Sequence, residues 1–138
     1  MKALVIDGST ALGFLLKDEQ APDALKALEV IESGVPTFVP AHWCVEVANG
    51  LLMAERRKRA SQADITEALN LVAALPVMGD DETARRAGSD TAALARQYGL
   101  TIYDAAYLEL AMRRGASLAT SDHDLIKAAR AAGVASFR

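Results

Sequence analysis

A single cysteine, Cys44, is all that this chain of 138 residues contains, so no intrachain disulfide forms and no Cys-rich zinc cluster can be assembled. A lone cysteine of this kind is expected as a small buried apolar residue. Long hydrophobic runs are also missing. The opening Met1-Lys2-Ala3-Leu4-Val5-Ile6-Asp7 offers four apolar residues in a row before an acid, far short of a signal-peptide core or a membrane span. No membrane association is expected, and the cytoplasm is the expected compartment. Nor is positive charge in excess: the net charge is -3 and the pI about 5.3, which excludes binding of nucleic acid by bulk charge alone. Any such contact has to be local or metal-mediated.

Hydrophobic residues make up 51% and charged residues 24%, the balance of a globular chain rather than a disordered one. The length suits one domain, spanning 1–138, that folds alone or as a small oligomer. No repeat or low-complexity tract interrupts it, and Gly and Pro fall singly where elements should end. Ala3 to Ile6 is a short β-favouring run, after which Ser9 or Thr10 can cap a helix to about Leu16. A helix opening at Pro22 should end before Gly34, and Thr37 to Val39 reads as the next strand. A long helix is expected from Ala41 into Arg56 to Arg59, and Ser61-Gln62-Ala63-Asp64 resembles a capping box opening another to Ala74. Val77 and Met78 suggest a weak strand, and Asp80 or Asp81 can cap an Ala-rich helix reaching Tyr98, stopped by Gly99. A helix from Tyr103 to Arg114, a strand at Ser117 to Thr120, a helix from Leu125 to Ala132 and a last strand at Val134 to Phe137 complete the pattern. Strands alternating with helices imply right-handed crossovers: a three-layer α/β/α sandwich around a mostly parallel sheet of four to five strands.

Parallel sheets bind ligands outside the carboxyl ends of their strands. Asp7 directly follows the first strand, Asp122 lies two residues past Thr120, and Glu46 falls in the first turns of the helix after the second strand. All three belong at one edge. Each also has a plainer reading, Asp7 as a turn residue and Asp122 or Asp124 as acids favoured at a helix start. Glu46, between Val45, Val47 and Ala48, is expected in apolar surroundings where a lone carboxylate is costly. Thr101-Ile102-Tyr103-Asp104 can be read as a capping box in which Asp104 only satisfies a backbone N–H.

Four segments together match a known pattern: Val5-Ile6-Asp7-Gly8-Ser9, Val45-Glu46-Val47-Ala48-Asn49, Tyr103-Asp104-Ala105-Ala106-Tyr107-Leu108 and Leu118-Ala119-Thr120-Ser121-Asp122. In this order and spacing the chain resembles the PIN-domain ribonucleases, specifically the small VapC-type toxins of toxin-antitoxin pairs. The resemblance covers essentially the whole chain and implies the strand order 3-2-1-4-5. It further implies that Asp7, Glu46, Asp104 and Asp122 form a catalytic and metal-binding quartet for Mg²⁺ or Mn²⁺. Ser9 and Thr120 become candidates for orienting metal water or substrate, while His123 and Asp124 become candidates at the rim. Gly8 departs from the family, which more often has Ala, Ser or Thr there, and His123 stands where a longer polar residue is common. Neither position supplies a ligand.

The chemistry suits the residues. Hydrolysing a phosphodiester requires an activated water and relief of negative charge, and one or two hard divalent cations held by carboxylates supply both. Four crowded acids without metal repel one another and raise their own pKa values. Metal bridging carboxylate and phosphate reconciles an acidic protein with an RNA substrate. A metal-independent ribonuclease would instead need histidine acid-base chemistry, and His42 and His123 are the only histidines. Arg56-Arg57-Lys58-Arg59 begins about ten residues past Glu46, roughly 15 Å along a helix, and reads as a helix-end cluster or as an RNA or partner contact. The resemblance implies RNA as substrate, a homodimer and a cognate antitoxin that occludes the acidic site. Two other readings compete: a non-catalytic PIN-like RNA-binding or scaffold module, and a phosphotransfer domain. The latter wants a second Asp two residues past the first, where this chain has Ser9, and a late Lys, where Lys127 falls inside a helix.

Overall fold

The structure is a computed structural model that describes residues 1–137. Its centre is β1 (Leu4–Ile6), three apolar residues with no measurable exposure, paired in parallel on both sides. On one side lies β2 (Thr37–Val39), followed by β3 (Met78–Gly79); on the other lies β4 (Ser117–Ala119). The sheet order is therefore β3-β2-β1-β4, all parallel, as the strand-helix alternation requires. The expected fifth strand is reduced to one parallel bridge, Leu118 to Ser136. Gly133, with φ of 78°, turns the chain out of the preceding helix and leaves only a short segment to lie against β4.

Helices cover both faces: α1 (Gly8–Leu15), α2 (Pro22–Glu32), α3 (Trp43–Arg56), α4 (Gln62–Ala74), α5 (Thr83–Arg86), α6 (Ala92–Tyr98), α7 (Ile102–Arg114) and α8 (His123–Ala131). The Ser61–Asp64 capping box forms with both of its hydrogen bonds, and Gly99 and Gly115 close α6 and α7 in the left-handed conformation. Trp43, Val47, Leu51 and Ala54 put one face of α3 into the core. That phase leaves Cys44 exposed, contrary to its expected burial, and turns Val45 outward at 71% exposure. Glu46 is likewise not enclosed by apolar neighbours; its side chain is 40% exposed on the edge of α3.

Three local expectations give way to stronger interactions. Asp7 itself caps α1, its carboxylate accepting from Thr10 N–H, so the helix begins earlier than a Ser9 or Thr10 cap would allow. The single Ala-rich helix expected up to Tyr98 is divided by a π-helical segment at Ala87–Thr91, where Gly88, Ser89 and Asp90 concentrate weak helix formers. Asp80 caps nothing. Its carboxylate receives two hydrogen bonds from Arg113 of α7, at 2.9 and 2.8 Å, and its side chain is 1% exposed.

Candidate functional site

The register Ile6 to Ala119 sets the ends of β1 and β4 side by side, so Asp7 and Thr120 leave the sheet as neighbours. Asp7 is buried and both of its oxygens are engaged. Oδ1 accepts from the Ser9 hydroxyl at 2.7 Å and from Thr10 N–H at 2.9 Å; Oδ2 accepts from the Thr120 hydroxyl at 2.5 Å. Burial nevertheless raises the Asp7 pKa above its ordinary value, against the lowering pull of the Thr120, Thr10 and Ser9 hydrogen bonds. Thr120 Oγ1 also accepts from Asp122 N–H at 3.0 Å, and Ser9 Oγ accepts from Ser121 N–H at 3.1 Å. Two hydroxyls thus tie both strand ends into one unit. Asp122 caps α8 through Oδ1, which accepts from Leu125 N–H at 2.9 Å. The plain helix-start reading of Asp7 and Asp122 is therefore true, and capping fixes where each carboxylate stands.

Glu46 arrives from α3. Its Oε1 accepts from the Tyr107 hydroxyl at 2.8 Å and lies 3.1 Å from His42 Nε2. The same nitrogen is 3.1 Å from the Tyr103 carbonyl, so it faces two acceptors and carries a proton. The His42 hydrogen bond holds the Glu46 carboxyl below its ordinary pKa; burial opposes this and the Tyr107 hydroxyl adds to it. Oε2 points toward the Asp7–Gly8 turn: a Cβ on Gly8 would stand 3.9 Å from it and 3.7 Å from Glu46 Cβ. Those are ordinary contacts, so glycine at position 8 is not required by space.

Asp104 opens α7 three residues before Tyr107. Thr101 Oγ1 accepts from Asp104 N–H at 3.1 Å, but the return bond that completes the Ser61–Asp64 box is not formed at Thr101. The Asp104 carboxyl is pushed above its ordinary pKa by burial first, then by the charges of Asp122, Glu46 and Asp7. Each of the other three acids therefore lies within electrostatic reach of it. Among the described residues no Lys or Arg forms an ion pair with any of the four. Among the described residues no three of these four acids each place an oxygen within 4.8 Å of the others; the acids that do are Asp80, Asp81 and Glu82. That second cluster lies past the end of β3 and is neutralised by Arg113, which binds Asp80 and reaches Glu82 at 3.4 Å.

Of the residues singled out in the sequence, Asp7, Glu46, Asp104, Asp122, Ser9 and Thr120 share this edge. His123 and Asp124 are exposed in the first turn of α8, and Asp124 joins none of the hydrogen bonds just described. His42 and Tyr107 escaped sequence reasoning as positioning groups for Glu46. The spacings His42 to Glu46 (i, i+4) and Asp104 to Tyr107 (i, i+3), each on one helix face, were the available signal.

A parallel α/β/α domain with carboxylates at the carboxyl edge of its central strands, none in an ion pair with Lys or Arg among the described residues, is the class that fold and site define together. The comparisons specify it further. Residues 4–131 match the PIN domain family, and the chain belongs to that family. It is 32% identical over 126 residues to Ribonuclease VapC3 of Pyrobaculum aerophilum, which covers 88% of this chain and 91% of that protein. The fold is similar to the crystal structure of PAE2754 from Pyrobaculum aerophilum, with TM-score 0.68 and 20% identity, over 91% of this chain and 78% of that one. FitAcB from Neisseria gonorrhoeae superposes with TM-score 0.56 and 15% identity over 98% of this chain and 96% of that one. FitAB bound to an IR36 DNA fragment gives TM-score 0.55 at 15% identity, over 97% and 93%. Among the described residues no helix is long and apolar enough to cross a membrane.

Proposed function

We infer that this protein is a divalent-metal-dependent endoribonuclease and the toxin of a toxin-antitoxin pair. The observation that carries this reading is the state of Asp104, a partly buried carboxylate facing three other acids, none of which has a Lys or Arg ion pair among the described residues. Such a set is stabilised by a hard, oxygen-preferring cation, which fits Mg²⁺ or Mn²⁺ held by Asp7, Glu46, Asp104 and Asp122. When bound, the ion would supply acidified water and neutralise charge on the phosphoryl group. The chain's own residues do the positioning. Asp7 is held by three donors, Glu46 by Tyr107 and His42, and Asp122 by its own cap, so the carboxylates are set before substrate arrives. The Thr120 hydroxyl spans Asp7 and Asp122 and transmits the position of one to the other.

RNA as the substrate rests on family membership and on the similarity to a relative named as a ribonuclease. The antitoxin partner rests on the same likeness, and one surface feature agrees with it. Val45 and Tyr103, at 71% and 64% exposure, adjoin Glu46 and Asp104 in sequence and give the acidic edge an apolar rim that a covering protein would bury. Assembly as a homodimer in the cytoplasm belongs to the same reading.

Purified protein is given single-stranded and structured RNAs with Mg²⁺ or Mn²⁺, beside an Asp104→Asn variant and an EDTA control. Cleavage by the metal-loaded protein alone is expected. Equal cleavage in all three would overturn the metal mechanism, and binding without cleavage across every RNA class would favour a scaffold module instead.

A further inference from the structure

Next to the carboxylate edge the surface opens into a groove of about 720 Å³ between the start of α2 and α8. It begins at Ser9, Thr120 and Ser121, the residues that hold Asp7 and Asp122 in place, and runs away from them along α8. Its α8 wall carries His123, Ile126, Lys127 and Arg130, one helical face at i, i+3, i+4 and i+7. Lys127 and Arg130 are exposed, and among the described residues neither forms an ion pair. The facing wall is different in kind. Pro22 gives it exposed apolar surface, Phe137 adds an aromatic ring to the lining, and Asp23, in the first turn of α2, forms no ion pair among the described residues. Glu19, also on this side, is drawn toward Arg59 at 3.4 Å.

We propose that this groove is the track along which the RNA strand leaves the cleavage site, with Lys127 and Arg130 binding its phosphates. The assignment rests on the ribonuclease reading above and adds a subsite to it. A single strand presents phosphates on one side and bases on the other, and the two walls divide the same way. Two cations on one helix face, without an ion pair among the described residues, attract phosphates, while Pro22 and Phe137 offer the surface on which a base lies. The Asp23 carboxylate is an acceptor for an exocyclic amino group, and there it would discriminate against bases lacking one. Local cations also explain how a chain of net charge -3 engages RNA beside four acids.

Arg56, Arg57 and Lys58, the more conspicuous basic run, are exposed at the far end of α3, whose first turn carries Glu46. They serve as the internal control.

The test measures binding rather than turnover. In the Asp104→Asn background, which removes cleavage from the readout, affinity for a fluorescent single-stranded RNA is followed by anisotropy across a salt series. Lys127→Ala with Arg130→Ala is expected to weaken binding about tenfold and to flatten the salt dependence by about 1.4 log units per log unit, two phosphates at ~0.7 each. Lys127→Arg with Arg130→Lys, which keeps both charges, should restore affinity and slope, and thermal melting checks that each variant is folded. Arg57→Ala with Lys58→Ala should change neither. Unchanged affinity and slope in the Lys127/Arg130 variant would overturn the proposal, as would an equal loss in the Arg57/Lys58 variant. If the parent protein cuts no RNA but loses binding with Lys127 and Arg130, the groove stands and the nuclease reading falls. A parent that binds no RNA defeats both.

Discussion

The Thr120 hydroxyl donates to Asp7 Oδ2 at 2.5 Å while accepting from Asp122 N–H at 3.0 Å, across 113 residues of sequence. One side chain therefore sets the separation of two candidate ligands from different strands. Removing the hydroxyl leaves a buried carboxylate oxygen without its donor and a backbone N–H without its acceptor.

Thr120→Val, which keeps the branched shape, is accordingly expected to lower kcat/KM for RNA cleavage by 10- to 100-fold, the usual cost of losing a group that orients metal ligands. Thr120→Ser should recover most of the rate. Steady-state cleavage at saturating Mn²⁺ decides it; a valine variant with full activity would show that the Asp7–Asp122 spacing is set elsewhere.

Asp104 gives a prediction with the opposite sign for stability. Its raised pKa means that the folded protein holds this carboxylate less comfortably than the unfolded chain does, so its charge destabilises the metal-free fold at neutral pH. Asp104→Asn should therefore raise Tm in EDTA. Lowering the pH toward the raised pKa should shrink the difference, because the wild-type group then protonates. Adding Mn²⁺ should stabilise wild type and leave the variant little changed. Differential scanning calorimetry in both conditions reads these effects, and a variant less stable than wild type in EDTA would contradict the repulsion.

Asp80 behaves in the reverse way. The Arg113 hydrogen bonds hold its pKa at about 2, below the ordinary 3.8, against the opposing effect of burial. A depressed carboxylate pKa contributes stability that is complete above the unfolded value and is lost as pH falls through the folded one. The shift corresponds to about 2 kcal/mol, so Asp80→Asn should cost at least about that much at pH 7. The gap between variant and wild type should close between pH 4 and pH 2. Urea unfolding at a series of pH values measures it; a pH-independent gap would place the contribution in packing rather than charge.

Sequence and tertiary structure divided the decisions unevenly. Local chemistry was enough for Ser61–Asp64, for Gly99 and for the strand Thr37–Val39, because capping, left-handed turns and short β-favouring runs depend on near neighbours. It was also enough to nominate Asp7 and Asp122, since a parallel sheet places the residues after its strands at one edge. It failed for the helix divided at Ala87–Thr91 and for the burial of Cys44 and Glu46, where the phase of a helix against the core decides.

Asp7 and Asp80 make the distinction most clearly. Each is the residue that directly follows a strand of one sheet, and strand-edge logic alone treats them alike. The sequence by itself determined the parallel α/β pattern and the supply of acids at its edge, because both follow from spacing and residue type. Only the tertiary structure decided which acids receive an arginine: α7 brings Arg113 against Asp80 but Asp104 and Tyr107 toward Asp7 and Glu46. Neutralisation by a distant cation depends on how a helix lies across the sheet, and no local pattern of residues encodes that.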